Sequence, residues 1–325
     1  MNTIFLINSI MKEDSNFVDY MNLKNIIVDN IDNIPGTNDY LTKIKYINGI
    51  YFIFGTNGRI YRSTDTKLWT KCNVNILNEI YDIIYAKNIY IIIGSGGKIV
   101  TSPDAVLWTM RISGVTNTLQ SITFGNNRFI IVGSPKVILS SNDGITWTSI
   151  TFPEINPVNG NVTTAKIIYN GTEFLLFISV LFDDVRMVSN IFYSATGSIY
   201  TKINNFPNNI LISNVLCQDN IVIVSSNTNV YKIINRIFYK ILTDVSTILS
   251  INYSEGLFLV GVKNKVSIIF ENDLLQIPAS ISDYYTIHVG SSISNRDIYG
   301  GLIVNKKLIL LDKSGYILRV PIYYK

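Results

Sequence analysis

One seven-residue phrase occurs three times in the first half of the chain and constrains its fold more than any other feature. The copies begin at Ser63, Ser102 and Ser141, so each follows the previous one by 39 residues. Each copy has an Asp two residues after the Ser and ends on a Trp. Self-similarity at a fixed period near 40 residues is typical of repeat architectures. We therefore expect one structural unit to recur along the chain.

Residues 40–73 show what this unit contains. An alternating stretch leads to Asn48-Gly49, a strong two-residue hairpin signal because both positions tolerate positive φ. An apolar run, a second turn at 56–58 and a third short run follow, and the phrase then turns the chain into a last run ending at Cys72. Short β-rich runs joined by turn signals at such spacing predict an antiparallel meander of four strands.

The hairpin and turn signals recur often enough to predict seven units. We therefore expect an all-β fold, a seven-bladed β-propeller of four-stranded antiparallel blades. The predicted blades cover residues 40–73, 79–113, 118–151, 162–205, 210–243, 247–277 and 296–325.

The last unit lacks a fourth strand, and an open edge there would be a liability. We expect an N-terminal strand at 22–30 to complete the last blade, so that 22–325 form the propeller and 1–21 an arm. Met1–Ile10 is the alternative closing strand.

Composition restricts the classes of partner. The net charge is +4, only 15% of residues are charged, and Lys and Arg do not cluster. Nucleic acid and anionic membranes are therefore disfavoured. The longest apolar run, 174–182, is about half of a membrane span, and the N-terminus lacks the pattern of a signal peptide. We expect a cytoplasmic or virion-associated protein without cofactor or metal, with Cys72 and Cys217 as buried free thiols.

The phrase resembles the Asp-box, or BNR repeat, of sialidase-type propellers, Ser-x-Asp-x-Gly-x-x-Trp. The matching residues are Ser63, Asp65, Trp69, Ser102, Asp104, Trp108, Ser141, Asp143, Gly144 and Trp147. The resemblance implies a propeller in which these residues form a structural turn away from any active site.

Sialidase chemistry is not implied, because it needs an arginine cluster, a Tyr–Glu nucleophile pair and an acid. The eight arginines are instead scattered along the chain. The resemblance therefore implies a fold without the activity, and we assign no catalytic residue.

Insertions indicate which face of the ring binds. Successive turns alternate between two faces, and the long insertions at 153–163, 181–189 and 278–294 all fall on the face opposite the phrase. Loops on a rigid scaffold commonly carry function. The predicted binding residues are Asn156, Asn159, Asn161, Asp183, Asp184, Arg186, Tyr284, Tyr285 and His288.

Two classes of function follow. The first is a non-enzymatic binding or structural module that engages a protein partner, plausibly as a virion or phage-tail-like particle component. The alternative is a glycan-directed protein, either a lectin-like receptor binder or a diverged glycoside hydrolase using Asp183 or Asp184.

Overall fold

The computed structural model describes the chain as β-strands joined by short turns. The described residues are 30–33, 41–76, 78–155, 160–182, 186–204, 211–218, 220–226, 228–242, 248–254, 257–262, 265–270, 285–288, 298–304, 307–312 and 316–321. No helix in these ranges is long and apolar enough to cross a membrane.

The described strands pair into seven four-stranded antiparallel sheets. The first three sheets contain β2 Leu41–Ile47, β3 Ile50–Gly55, β4 Ile60–Ser63 and β5 Thr70–Lys71, then β6 Ile80–Ala86, β7 Ile89–Gly94, β8 Ile99–Ser102 and β9 Thr109–Arg111, then β10 Thr118–Gly125, β11 Arg128–Ser134, β12 Val137–Ser141 and β13 Thr148–Ser149. The fourth and fifth contain β14 Asn161–Tyr169, β15 Phe174–Phe182, β16 Arg186–Ser194 and β17 Thr201–Lys202, then β18 Asn214–Gln218, β19 Ile221–Ser225, β20 Val230–Ile234 and β21 Ile237–Leu242. The sixth contains β22 Ile248–Ser254, β23 Leu257–Val262, β24 Lys265–Phe270 and β25 Tyr285–His288, and the seventh β26 Ile298–Val304, β27 Lys307–Asp312, β28 Tyr316–Pro321 and β1 Asn30–Asn33.

The first hairpin of the early sheets has the predicted two-residue turn. In the first sheet Asn48 and Gly49 have φ of 49° and 80°, and in the second Lys87 and Asn88 have φ of 51° and 60°. Two successive positive φ values are the mark of a type I′ turn, whose twist suits a β-hairpin. The first strand of each of these two sheets is thereby held tightly against the second.

Apolar side chains between neighbouring sheets form the core. Phe52 of the first sheet and Ile92 of the second share one buried cluster. Another joins Ile53 of the first sheet to Leu302 and Ile309 of the last. The last sheet therefore packs on the first, and the sheets close into a ring.

The predicted fold class needs correction in its last two sheets. In the sixth, the outer strand is Tyr285–His288. That strand lies in the segment 278–294, which the sequence analysis had taken for an insertion between blades, so the predicted blade boundary at 277 is wrong.

The closing strand also differs from the prediction. Residues Asn30–Asn33 pair antiparallel with β28, with Ile31 opposite Leu318. The described closing strand overlaps the predicted segment 22–30 only at Asn30. Residues 22–29, Met1–Ile10 and the predicted arm lie outside the described residues. An outermost strand pairs through its backbone on one edge only, so a polar segment such as Asn-Ile-Asp-Asn can serve.

The presumed insertion at 181–189 is another correction. Strands β15 and β16 continue their pairing through this segment, ending with Phe182 opposite Arg186. The segment is therefore mostly a longer hairpin rather than a loop, because the apolar run from Phe174 lets both strands extend.

Candidate functional site in the central channel

The phrase at Ser141 folds as a turn held by its own side chains. Asp143 Oδ1 accepts hydrogen bonds from Ser141 Oγ and from the backbone N–H groups of Ile145 and Thr146, each at 2.8 Å. Ser141 Oγ in turn accepts the N–H of Gly144 at 2.8 Å. Hydrogen bonds from Thr146 and Ile145 lower the pKa of the Asp143 carboxyl to about 2. The Asp143 side chain therefore forms its hydrogen bonds within the turn, as in an Asx turn.

The other copies repeat this network. Asp65 Oδ1 accepts the N–H of Lys67 at 2.8 Å, and Asp104 Oδ1 accepts that of Val106 at the same distance. In the fourth sheet Ser194 keeps the Ser contact, accepting the N–H of Gly197 at 2.9 Å. Thr196 stands where the Asp was and accepts only a longer contact from Ser198, at 3.3 Å. The phrase thus persists as a turn after its carboxylate is lost.

One position in the phrase always has a left-handed backbone. The residue after the Asp has φ between 60° and 76° in all four copies, at Thr66, Ala105, Gly144 and Gly197. A Cβ on Gly144 would approach the Ile91 Cδ1 atom of the second sheet to 2.8 Å. The position therefore lies against the neighbouring sheet. The left-handed backbone and this close approach both favour glycine there.

The three Trp residues differ in burial. Trp147 is 9% exposed and packs in a cluster with Ile91 of the second sheet and Phe129 of its own. Trp69 is half-buried and donates from Nε1 to the Thr66 carbonyl at 3.0 Å. The Trp147 Nε1 atom is buried and has no hydrogen-bond partner among the described residues. Trp147 is therefore an apolar wedge between two sheets, as predicted.

Most of the predicted binding residues fall outside what the structure describes. Asn156, Asn159, Asp183, Asp184 and Tyr284 lie in undescribed segments. Asn161 is exposed at the start of β14, opposite Leu181. Arg186 begins β16, and Tyr285 and His288 bound the edge strand β25. The binding role of this set, and the glycan-directed alternative built on it, stay predictions.

A different site is present at the centre of the ring. A cavity of about 910 Å³ is lined by residues from the first strand of each of the seven sheets. We call this cavity the central channel. Cys217, half-buried rather than buried as predicted, lines it, while Cys72 is buried elsewhere. Neither forms a disulfide within the described residues.

One register position supplies a polar side chain to the channel from six of the seven sheets. In each sheet, the last backbone pair before the first hairpin turn joins the first strand to the second. The register position lies four residues before the first-strand member of that pair. Its seven occupants are Lys43, Asp82, Ser121, Lys166, Asn214, Ser250 and Gly300. All but the glycine line the channel. We call these residues the channel ring.

The next residue is apolar in the first four sheets, being Ile44, Ile83, Ile122 and Ile167, and each is buried. Successive strand residues point to opposite sides. The buried residue fixes the strand against its neighbours, and the ring residue is left facing the channel.

Asp82 joins three sheets. Its Oδ1 accepts from Lys45 Nζ of the first sheet at 2.5 Å, and its Oδ2 accepts the N–H of Ile122 in the third at 3.2 Å. Burial by itself raises the pKa of Asp82, but the ammonium groups of Lys45 and Lys43 outweigh it and lower the pKa overall. Asp82 is therefore a paired carboxylate at 8% exposure.

Two ammonium groups have no such carboxylate of their own. Lys43 Nζ donates to the Tyr81 carbonyl. Burial and the charge of Lys166 lower the pKa of Lys43 to about 7, although Asp82 acts in the opposite sense. Burial likewise lowers the pKa of Lys166. Both lysines are half-buried, because they line the channel while protein surrounds the rest of each side chain.

The sixth sheet contributes polar atoms that have no hydrogen-bond partner among the described residues. Ser250 is 6% exposed and its Oγ is one such atom, and the Asn252 Nδ2 atom is another. Both residues line the channel. An unsatisfied buried polar group costs about 1–3 kcal/mol. The described lining thus combines three lysines, one paired carboxylate and two unused hydrogen-bonding groups.

Comparison with known proteins gives a fold but not a family. No protein-family model and no curated protein matches the chain. YCF48 from Cyanidioschyzon merolae aligns at a TM-score of 0.63 and 12% identity, over 90% of this chain and 98% of that one. Virginiamycin B lyase from Staphylococcus aureus aligns at 0.65 and 11%, over 90% and 99%. The fold is that of a β-propeller.

A YCF48 structure with a bound D1 peptide is also similar, at a TM-score of 0.62 and 12% identity, over 90% of this chain and 96% of that one. Identities this low show shared architecture alone. Propellers of similar architecture nevertheless include one solved with a bound peptide. The Asp-box family assignment is not shown by these comparisons and stays a prediction.

The sequence analysis missed the channel, although a signal was present. Lys43, Asp82 and Ser121 are 39 residues apart, the same period as the phrase. Read as single residues, they belong to no charge cluster and match no motif. Counting back from each hairpin would have brought them together.

Proposed function

We propose that this protein is a binding module that holds a partner protein or peptide over the central channel. The observation that carries the proposal is the lining of that channel. Six sheets contribute ammonium, carboxylate, hydroxyl or amide groups to that lining from one register position on a closed ring. Such groups bind and orient a ligand, and a concave site with a few convergent polar groups is the usual form of a binding site.

The scaffold supports this proposal. Each first strand is fixed by buried residues on the two neighbouring sheets, so the channel residues are held on rigid elements. Binding to a preorganised surface avoids the entropy loss of ordering it. The similar propeller YCF48 has been found with a bound D1 peptide, which supports peptide recognition as a use of this architecture.

The finer predictions remain with this proposal. The long segments at 153–163 and 278–294 and the N-terminal arm would extend the contact beyond the channel. Membership of a virion or a phage-tail-like particle rests on composition alone and stays a prediction.

Selection of peptides from a random displayed library tests the proposal. Thr123→Trp places a large ring on β10 inside the channel, and Thr148→Trp makes the same change on the exposed outer strand β13. We expect peptides selected on the unmodified protein to bind Thr148→Trp normally and Thr123→Trp weakly, with both variants folded by circular dichroism. Peptides that bind both variants equally would place the binding surface elsewhere.

A further inference from the structure

We propose that the central channel holds an oxyanion, a carboxylate or phosphate group, between Lys43 and Lys166. The inference rests on the proposed function in taking the channel as the binding site, and it names the chemistry of the ligand. The juxtaposition of two ammonium groups facing a shared cavity carries it.

The ring places these two lysines apart in sequence but together in space. They occupy the same register position in the first and the fourth sheet, with Asp82 and Ser121 in the sheets between them. In a closed ring of seven sheets, the first and the fourth lie on opposite sides of the channel. Two like charges therefore face each other across a confined space.

The charges around this pair do not balance. The groups that act on Lys43 are Lys166, Asp82, Lys45 and, as the smallest influence, Glu79. Asp82 is already engaged by Lys45 and by the Ile122 N–H. Against three lysines, the described lining of the channel contains one carboxylate, that of Asp82. An added anion would offset the excess positive charge.

The unpartnered atoms are a second, independent observation. Ser250 is more than nine-tenths buried, and its hydroxyl has no partner among the described residues. The Asn252 amide nitrogen, two residues further along β22, is also without one. A hydroxyl and an amide N–H₂ both donate hydrogen bonds, and oxyanions accept several at once. Both residues line the same channel as the two lysines, so a change of the Ser250 rotamer would bring its hydroxyl to a site whose charges come from β2 and β14.

Binding should draw a proton into the channel. Since the pKa of Lys43 is about 7 in the empty channel, its amine is mostly neutral at pH 8. An oxyanion beside it favours the charged form and raises that pKa. Binding above pH 7 is therefore accompanied by proton uptake, and affinity falls as the pH rises through this range.

Isothermal titration calorimetry of the full chain with inorganic phosphate and with glutarate tests the inference. We expect Lys43→Met and Lys166→Met each to weaken binding by about tenfold or more, as loss of a charge-assisted hydrogen bond does. Lys43→Arg, which keeps the charge, should retain binding, and Ser250→Ala should weaken it by a smaller factor. Lys71→Met, the same change on the exposed outer strand β5, is the matched control.

Titrations at pH 8 in two buffers of different ionisation enthalpy measure proton uptake. Uptake in the unmodified protein and its absence in Lys43→Arg support the assignment of Lys43. Preference for phosphate indicates a free ion or phosphorylated ligand, and preference for glutarate indicates carboxylate groups of a peptide.

The results separate this inference from the proposed function. No binding of either anion, or equal binding by Lys43→Met and Lys71→Met, overturns the oxyanion site. If channel-dependent peptides are still selected in that case, the proposed function stands without it. If the anions bind but no selected peptide depends on the channel for its binding, the oxyanion site stands and the peptide-binding proposal is overturned.

Discussion

Replacing Trp147 by Ala should destabilise the propeller more than any comparable change in the other copies of the phrase. The side chain is 9% exposed and lies between the second and third sheets, with its ring centroid 6.4 Å from that of Phe129. Truncation of a buried Trp to Ala typically costs about 3–5 kcal/mol, since it removes apolar contacts and leaves a cavity. At roughly 2.1 cal/mol/K per residue for the unfolding entropy, that loss lowers the Tm of a chain of this length by about 4–7 °C.

Two further variants separate packing from hydrogen bonding. Trp147→Phe keeps an aromatic ring and removes an Nε1 that has no partner, so we expect it to cost less than about 1.5 kcal/mol. Trp69→Ala removes a half-buried ring whose Nε1 bonds the Thr66 carbonyl. Its effect should be smaller than that of Trp147→Ala, because less apolar surface is lost.

Urea denaturation followed by circular dichroism, together with thermal melts, measures all three. The free energies of unfolding should fall in the order unmodified protein, Trp147→Phe, Trp147→Ala. A loss below about 1 kcal/mol in Trp147→Ala, or a larger loss in Trp69→Ala, would refute the reasoning that Trp147 is the principal wedge between these sheets.

Three more predictions follow from the turns, the closing strand and the channel. Asp143→Ala should cost about 1 kcal/mol at pH 7, after discounting for an exposed carboxylate; since the folded pKa of Asp143 is lowered to about 2, the difference from the unmodified protein should disappear in melts as the pH falls from 4 towards 2. Deleting residues 1–29 should leave the melting temperature unchanged because β1 remains, whereas deleting 1–33 should expose the β28 edge and produce aggregation visible by light scattering; equal behaviour of the two truncations would contradict the closing role of Asn30–Asn33. Lys43→Met should stabilise the protein by about 2 kcal/mol at pH 6. The fall of the Lys43 pKa from 10.5 to about 7 corresponds to about 1.4 kcal/mol per pKa unit, and roughly half of that total is expected because channel water screens the charge. The gain should shrink between pH 7 and 10.5, where the unfolded chain keeps the proton that folded Lys43 has lost.

The turns were predictable because their chemistry is local. Asn48-Gly49 and the phrase at Ser141 are stabilised by groups within a few residues of one another, so their order in the sequence carries the information. The same holds for the strands between them, whose apolar runs are short and regularly spaced. Even so, in the fifth sheet the third turn became a two-residue hairpin at Asn235-Arg236, both with positive φ, and no trace of the phrase is needed there.

The outer strands were less predictable because they need so little sequence information. Strand β1 contributes four residues and pairs through backbone groups with β28 alone. Strand β25 similarly pairs only with β24. An edge strand needs no apolar stripe on both faces, so composition does not mark it. The prediction of 22–30 rests on its distance from Thr42, and such a distance does not fix the bounds of a strand to within a few residues.

The channel shows why a site in a repeat protein is missed when its residues are read along the chain. Within each first strand, the buried position must remain apolar, as Ile44, Ile83 and Ile122 do, because two sheets pack on it. The position before it faces a cavity and is free of that constraint, so Lys, Asp and Ser replace one another there. Because the residue type at this register position varies from unit to unit, the repeat is hard to recognise there. The same variation allows seven units to place seven different groups around one ligand. In a closed ring, functional residues are therefore best sought by comparing the same register position in every sheet. That comparison brings together Lys43 and Lys166, which are 123 residues apart in sequence.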